Sequence, residues 1–469
     1  MNLSNKSLLH RLESIIFDAE YVSRCASYLQ LPVVANQRCG SWYVPLDLLA
    51  EACYFKSTDG HINKWAFSHR RLNLHLLPLI EAKGGCIIVD STRGSKRFSD
   101  ALSKTIPIWC AVLNRLLFPN DAESREIVLP NTNTVSVQEA EDIRQVLPSL
   151  RDDAGRLGLD IRFLRSQLSR PLKPYFLEPP SIAFASADTE TSTAFAPNEP
   201  DNLLTHHIYV VMASTNETSL GLPFLGYIRG AGDDEDNWAY GMTAAQFWQG
   251  RNALLEALKD SEMDFPSIIY QSTSHRQPIE YTQPVQIGST GIYVGVAGSH
   301  VTLKILQHYD PYDAIIVCNQ MPNLSDIVAS LAKKGIKPYI LQLDLVLGKL
   351  GSRGLRTILP KLVAFVTGIK GVSPRILVAD DAGKDHAVGV ALALDCLFYD
   401  QDRFSNVPTK QIFDKEMIRK RLAMIVACKS DINPSRTTLQ SVHAILMPWN
   451  DIERRIRVDN GVATQNTLH

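Results

Sequence analysis

Two short polar clusters hold the residues best suited to chemistry. The first, YFKSTDGH (54–61), packs Lys56, Ser57, Thr58, Asp59 and His61 into one turn, with Lys64, Arg70 and Arg71 close behind. The second, DSTRGSKR (90–97), supplies Asp90, Ser91, Thr92, Arg93, Lys96 and Arg97, and Lys104 follows. Small hydroxyls, a carboxylate and several cations together suit a sugar phosphate. Cations neutralise the phosphate, and a carboxylate can take a proton from an attacking hydroxyl. Asp59 or Asp90 is the candidate general base, with Lys56 and His61 beside it. Ser57, Thr58, Arg70, Arg71, Ser91, Thr92, Arg93, Lys96 and Lys104 are candidate phosphate ligands. A solvated surface loop would carry the same charges.

The positioning elements follow from the apolar pattern. GGCIIVD (84–90) has strand chemistry, four apolar residues between Gly and Asp. It sets DSTRGSKR at a strand's C-terminal end, where α/β folds place ligands. Residues 1–30 read as a helix, with Leu8, Leu12, Ile15 and Ile16 at helical spacing. The spacing predicts a second short helix over 45–52 and a helix over 102–117 interrupted near Pro107. A helical hairpin is expected over 136–167, turning at Leu147-Pro148, with Arg165 on its second half. Residues 177–203 lack any period and read as a loop. HHIYVVMAS (206–214) is a strand. GAGDDED (230–236) sets Asp233 and Asp234 between glycines and further acids, as either a turn or a site for Mg²⁺ or ribose hydroxyls.

The C-terminal part alternates strand and helix: GIYVGVAG, DAIIVCN, PYILQLDL and PRILVAD are strands. Alternation of this kind implies a mainly parallel sheet with right-handed crossovers. The last of these strands enters DDAGKDHA (380–387) and then an apolar helix. Strand, glycine loop and helix N-terminus make an anion cradle, formed here by Asp380, Asp381, Gly383, Lys384, Asp385 and His386. An Asp before a helix also serves as a cap. Lys415, Arg419, Lys420, Arg421 and Arg436 lie on basic C-terminal helices. With Lys64 and Arg165 they are the candidate phosphate-tracking surface for a nucleic acid, although such residues also merely solvate helices.

Composition sets the outer bounds. The chain has 469 residues, 45% hydrophobic and 21% charged, with a formal net charge of −1. Length predicts two to four domains. A nucleic-acid site must then be a local patch. No apolar run approaches the roughly 20 residues of a membrane helix. The eight cysteines show no metal spacing and sit mostly in apolar runs, which suggests buried thiols in a reducing, cytoplasmic compartment.

Several blocks carry a family resemblance. RCGSWYVP (38–45), YFKSTDGH, FSHRRLNLHLL (67–77), IIVDSTR (87–93), DALSKTIPIWC (100–110), GYIRGAGDDEDNWAYGMT (226–243), DDAGKDHAVGVALAL (380–394) and INPSRTTLQSV (432–442) resemble the initiator-tRNA phosphoribosyltransferases. These modify adenosine 64 at its 2′-oxygen. The resemblance implies phosphoribosyl pyrophosphate as donor, Mg²⁺ with its pyrophosphate, and initiator tRNA as partner. It implies neither membrane nor DNA. The 380–386 loop is similar to the phosphate loop of dual-specificity phosphatases. Asp380 stands where that pattern has its nucleophilic Cys, and His386 where it has Arg, so phosphatase chemistry is not expected. The same residues partly resemble the acidic ribose-binding loop of ordinary phosphoribosyltransferases. The expected architecture is α/β: an N-terminal α/β phosphoribosyltransferase domain (1–280, with a loop near 178–203), a C-terminal dual-specificity-phosphatase-like domain with a mainly parallel sheet (287–450), and a polar tail (451–469).

Overall fold

The computed structural model describes residues 3–37, 39–56, 65–69, 71–92, 96–121, 126–131, 133–177, 206–213, 224–260, 283–297, 312–320, 324, 329, 339–346, 349–369, 371–400, 403–411, 413–429, 432 and 434–447. The chain forms two compact units. One comprises Met1–Arg156 and Asp160–Arg276; the other comprises Gln277–His469 with Leu157–Leu159.

The first unit is built on a five-stranded, all-parallel sheet. Its strands are β1 (Val33–Asn36), β2 (Leu49–Cys53), β3 (Gly85–Asp90), β4 (Leu172–Leu177) and β5 (His206–Met212), in the order β2-β1-β3-β5-β4. Every residue of β1 and β3 is buried, as expected of central strands in a parallel sheet. Helix α1 (Leu3–Leu29) buries Leu8, Leu12, Ile15, Ala19 and Val22, one stripe at 3–4 spacing. It shares a core cluster with Trp42, Tyr43 and Phe247.

The segment 45–52, expected as a helix, contributes edge strand β2 instead. Its pairing with β1 (Val33 opposite Leu49) overrides the local helical preference. Helix α2 (Leu76–Lys83) leads into β3. A π-helical turn, Ala101–Thr105, runs straight into α3 (Ile106–Leu117), so Pro107 falls in the first helical turn, where its missing N–H costs nothing. Trp109 on α3 is fully buried and donates Nε1–H to the Leu72 carbonyl (2.7 Å). Burying such a side chain stabilises by about 1.5–3 kcal/mol.

Helix α4 (Val137–Gly155) passes through Pro148 without turning. Pro148 is exposed, and the hairpin bends after it, before α5 (Ile161–Gln167). An exposed helix face leaves the carbonyl freed by Pro148 open to water. Ser136 caps α4 by accepting from Glu139 N (3.1 Å). A short helix, α6 (Glu235–Trp238), and the long α7 (Ala244–Asp260) are the last described elements of the unit.

The second unit carries strands β6 (Val285–Gln286), β7 (Ile292–Val296), β8 (Ala314–Val317), β9 (Tyr339–Gln342) and β10 (Ile376–Asp380) in the order β6-β7-β10-β8-β9. All pairs are parallel except β6 with β7. This is the mainly parallel sheet expected. Among the described residues four helices accompany this sheet: α8 (Lys349–Thr367), α9 (His386–Phe398), α10 (Lys415–Cys428) and α11 (Arg436–Leu446). Every residue of α9 is buried, so the apolar run VGVALALDCLF is a core helix. The expected loop at 178–203 and the tail at 451–469 lie outside the described residues. Among the described residues no helix is long and apolar enough to cross a membrane. All eight cysteines are free, and only Cys428 is exposed.

One buried acid sets a pH dependence. Asp18 on α1 is 2% exposed; its Oδ1 accepts from Tyr227 Oη (2.8 Å), and its Oδ2 meets no hydrogen-bond partner among the described residues. Burial pushes its carboxyl well above the usual range, opposed by the Tyr227 hydroxyl and the Arg229 charge. Between the ordinary Asp value and the raised one, the folded chain keeps a proton that the unfolded chain has lost. Stability therefore falls as pH rises through that window. Asp18→Asn keeps the shape and the Tyr227 bond and removes the titration. Its Tm is expected to match wild type at low pH and exceed it at pH 8. Superimposable Tm–pH curves would rule Asp18 out as the titrating group.

Candidate active site

The first sheet reverses direction about β1: β2 lies on one side, β3 and everything beyond it on the other. The crevice outside the C-terminal ends of β1 and β3 is therefore the favoured ligand position. Three stretches meet there: 39–43 after β1, 91–92 with 96–100 after β3, and 229–235. Cys39 Sγ lies 3.0 Å from both Asp90 Oδ1 and the Ser91 carbonyl, with Asp233 a further acceptor beside it. Ser99 Oγ donates to the other Asp90 oxygen (2.9 Å). Tyr43 Oη accepts from Gly232 N (2.8 Å), and Trp42 Nε1 donates to Glu235 Oε2 (2.6 Å). Arg229 reaches the Lys96 carbonyl (2.9 Å) and Arg11 the Ala231 carbonyl (2.6 Å). Thus RCGSWYVP, DSTRGSKR and GAGDDED, scattered along the chain, form one hydrogen-bonded corner.

Burial dominates its electrostatics. It pushes the Cys39 thiol far up, reinforced by the charges of Asp90 and Asp233, so Cys39 stays protonated and is no nucleophile. Burial also raises the Asp90 carboxyl, while the hydrogen bonds from Cys39 and Ser99 pull it back. Asp90 is 2% exposed with both oxygens engaged. Its geometry is that of a group holding the 91–99 segment and Cys39 in place, not of a base open to substrate.

The other candidates in this unit divide. Ser57, Thr58, Asp59, His61, Lys64, Arg70 and Arg93 lie outside the described residues. Lys56 is exposed, and its carbonyl accepts from Thr105 Oγ1 (3.2 Å), which ties the Lys56 backbone to the π turn. Arg71 stacks its guanidinium over the Tyr54 ring at 3.5 Å. Ser91 is buried and Thr92 half-buried. Lys96, 55% exposed, pairs with Asp100 (2.8 Å).

Lys104, expected on donor phosphate, bridges Asp100 (3.3 Å) and Glu139 (2.6 Å) instead. Burial lowers its pKa, but the two carboxylates outweigh this and leave it raised. Its charge is already neutralised, so its task is docking α4 to the π turn. Arg165, expected on tRNA, donates to the Leu117 carbonyl (2.8 Å) and lies over Phe118. Asp234 is exposed, in left-handed backbone at the start of α6. Among the described residues no group of three or more His, Cys, Asp or Glu is arranged to hold a metal. Asp90 and Asp233 flank a thiol, a poor partner for Mg²⁺, so this corner does not fit a protein-held Mg²⁺ ion.

Sequence reasoning missed Cys39, Tyr43, Ser99 and Asp100 as parts of the site. RCGSWYVP was visible as a block, yet nothing local says that its Cys meets an Asp 51 positions on. A cavity of about 550 Å³ opens beside the corner, lined by Gln37, Ser41, Leu49, Glu235, Asp236 and Met242, among others.

The second unit corrects a further expectation. Asp380, assigned to the donor's ribose or phosphate, points its carboxylate into its own loop. Oδ1 accepts from Ala382 N (2.9 Å), Gly383 N (2.5 Å) and Lys384 N (3.4 Å); Oδ2 accepts from Asp385 N (3.3 Å) and Ala387 N (2.7 Å). The capping role wins, because these orphan amides at the start of a helix need an acceptor. Asp381 accepts from Asn319 (2.5 Å), and Lys384 is half-buried. Asp385 accepts from Ser435 N (2.8 Å) and Thr438 Oγ1 (2.5 Å). His386 is buried, 3.1 Å from Ser352 Oγ. On the basic helices Lys415, Arg419 and Arg436 are exposed, and Lys420 pairs with Glu416 (3.3 Å). Arg421, expected on tRNA, is held by Asp395 and the Tyr399 carbonyl, both at 3.2 Å.

Comparison with known proteins places these features. The family model described as the Rit1 N-terminal domain matches residues 1–273, covering the β1–β3 corner, and that described as the Rit1 DUSP-like domain matches 339–446, covering the Asp380 loop. The Saccharomyces cerevisiae protein named tRNA A64-2′-O-ribosylphosphate transferase is 29% identical over 478 residues, 94% of this chain and 93% of that protein. An uncharacterized Schizosaccharomyces pombe protein is 31% identical over 464 residues, 94% of this chain and 95% of its own. Among solved structures, the Yvh1 phosphatase domain from Chaetomium thermophilum aligns with 35% of this chain and 95% of its own at 15% identity and a TM-score of 0.27, too slight a likeness to bear on the fold. With a domain model matching more than half its length, and relatives matching over 94% of it, this chain belongs to the Rit1 family.

Proposed function

We propose that this protein transfers a 5-phosphoribosyl group from phosphoribosyl pyrophosphate to the 2′-hydroxyl of adenosine 64 in initiator tRNA, which keeps that tRNA out of elongation. The observation that carries the reading is the near full-length match to a tRNA A64-2′-O-ribosylphosphate transferase. The corner at β1 and β3 supports it as the place of reaction.

In the reaction the 2′-oxygen attacks C1 of the donor, the bond from C1 to the pyrophosphate oxygen breaks, and the hydroxyl proton passes to a carboxylate. Pyrophosphate leaves with the bonding pair and needs cations around it. Lys56 and Lys96, with Arg70 and Arg93 on the adjoining segments, are the groups proposed there. Asp59, on the cluster that Lys56 opens, is the proposed base, and Asp90 positions the opposite wall. Mg²⁺ is proposed to enter on the donor's pyrophosphate, as part of the substrate. Lys415, Arg419, Lys420 and Arg436 are proposed to track tRNA phosphates. Buried free thiols and an RNA substrate fit a cytoplasmic protein.

The test is transfer of label from ribose-labelled phosphoribosyl pyrophosphate to initiator tRNA, beside an acceptor carrying 2′-deoxyadenosine at position 64. Label on the normal tRNA alone is expected. Tight tRNA binding without label on either acceptor would overturn the reading.

A further inference from the structure

We infer that the 380–386 loop is an anion cradle permanently filled by the Asp380 carboxylate, so that this loop takes no phosphate from the donor. The loop has the parts of a phosphate site. It follows the central strand β10, paired on both sides by parallel strands, and opens helix α9. Its backbone N–H groups converge on one point, where such loops hold a ligand's oxygens. Here that point holds Asp380's two carboxylate oxygens, which accept from five N–H groups.

The surroundings keep the loop in this state. Gly383 has φ +67°, and a Cβ there would lie 2.8 Å from the Gly295 carbonyl oxygen, so the loop is pressed against β7. Asp380's own carbonyl accepts from Ala297 N (2.8 Å), which fixes its backbone to the sheet. His386, where a phosphate loop would end in a cation, turns inward to Ser352. Asp385 is held by Ser435 and Thr438, which are 2.9 Å apart through their hydroxyls. The loop carries three carboxylates, Asp380, Asp381 and Asp385, against the single Lys384, a balance that repels an incoming oxyanion. The cradle's geometry thus serves to lock α9 and α11 together.

The second half of this inference rests on the phosphoribosyl reading above; the first half does not. The full-length protein and Asp380→Ala would be titrated with tungstate, a phosphate analogue, by equilibrium dialysis. Removing the carboxylate is expected to expose the five N–H groups, so the variant binds one more tungstate per chain than wild type. Its lowered Tm should be restored by tungstate more than wild type's is raised. No additional site in a folded variant would overturn the filled cradle. Should Asp380→Ala not fold, Asp380→Asn keeps the side chain's shape. Its Kd for phosphoribosyl pyrophosphate is expected to stay within about twofold of wild type's, and a tenfold rise would overturn the exclusion of the donor. A wild-type protein that binds no phosphoribosyl pyrophosphate would instead refute the donor reading and leave the tungstate result standing.

Discussion

Asp90→Asn is expected to lower label transfer to initiator tRNA by about 10²-fold, the cost of displacing reacting groups by about an ångström. The reason is positional. Asp90 receives the Cys39 thiol on one oxygen and the Ser99 hydroxyl on the other, from inside the corner where three loops meet. An amide supplies one acceptor where two are needed, so the segment bearing Thr92, Arg93 and Lys96 loses its register. A positioning role and a catalytic one separate in the pH profile. Burial raises the Asp90 carboxyl, so a reaction using its ionised form would gain rate as pH climbs through that raised value. With another group as the base, wild type and Asp90→Asn should share one acid limb, set by that group rather than by Asp90. Disappearance of the limb with Asp90 would make Asp90 the base. Stability should move as well. Asp90→Ala leaves the buried Ser99 hydroxyl without its acceptor, at about 1–3 kcal/mol, while the Cys39 thiol keeps the Ser91 carbonyl. Asp90→Asn should cost less, which keeps the kinetic comparison on a folded protein.

Gly40→Ala is expected to be the most damaging small change in the first unit, about 3 kcal/mol or roughly 10 °C in the Tm of that unit. A Cβ at Gly40 would stand 2.1 Å from the Val89 carbonyl oxygen and 3.0 Å from its carbon. Both are backbone atoms of the central strand β3, next to Asp90, and cannot rotate away as a side chain could. The turn Gly40–Tyr43 would have to lift off the sheet. Cys39 would leave Asp90, and Trp42 and Tyr43 would lose their contacts to Glu235 and Gly232. Thermal unfolding followed by limited proteolysis would check this. A Gly40→Ala protein with wild-type Tm and transfer rate would mean that the close approach at Val89 is not a constraint in solution.

Local chemistry made much of the architecture readable. The stripe Leu8, Leu12, Ile15 marked α1, and GGCIIVD marked β3 because a central parallel strand is apolar on both faces. Four apolar runs separated by helical stretches implied the second, mainly parallel sheet, and the quoted blocks pointed to the family. The misreadings share one cause. The helix expected over 45–52 gives way to strand β2 from Leu49 because β1 offers it backbone partners, and the turn expected at Pro148 is helix because that face meets water. Neither the pairing strand nor the exposed face is a property of the segment itself.

For the site, the sequence by itself determined which residue types are available: the Lys56 and Asp90 clusters, the glycine-flanked acids at 233–234, and the strand–loop–helix at Asp380. Only the tertiary structure decided their tasks. Cys39 meets Asp90 across 51 positions, Tyr43 meets Gly232 across 189, and Lys104 meets Glu139 on a separate helix. Asp380 reads equally as ligand or cap until five N–H groups are seen to point at it. A carboxylate or cation is defined by what neutralises it, and in a folded chain the neutralising group comes from wherever packing brings it. Periodicity and spacing, which see only a few residues either way, carry no record of that partner.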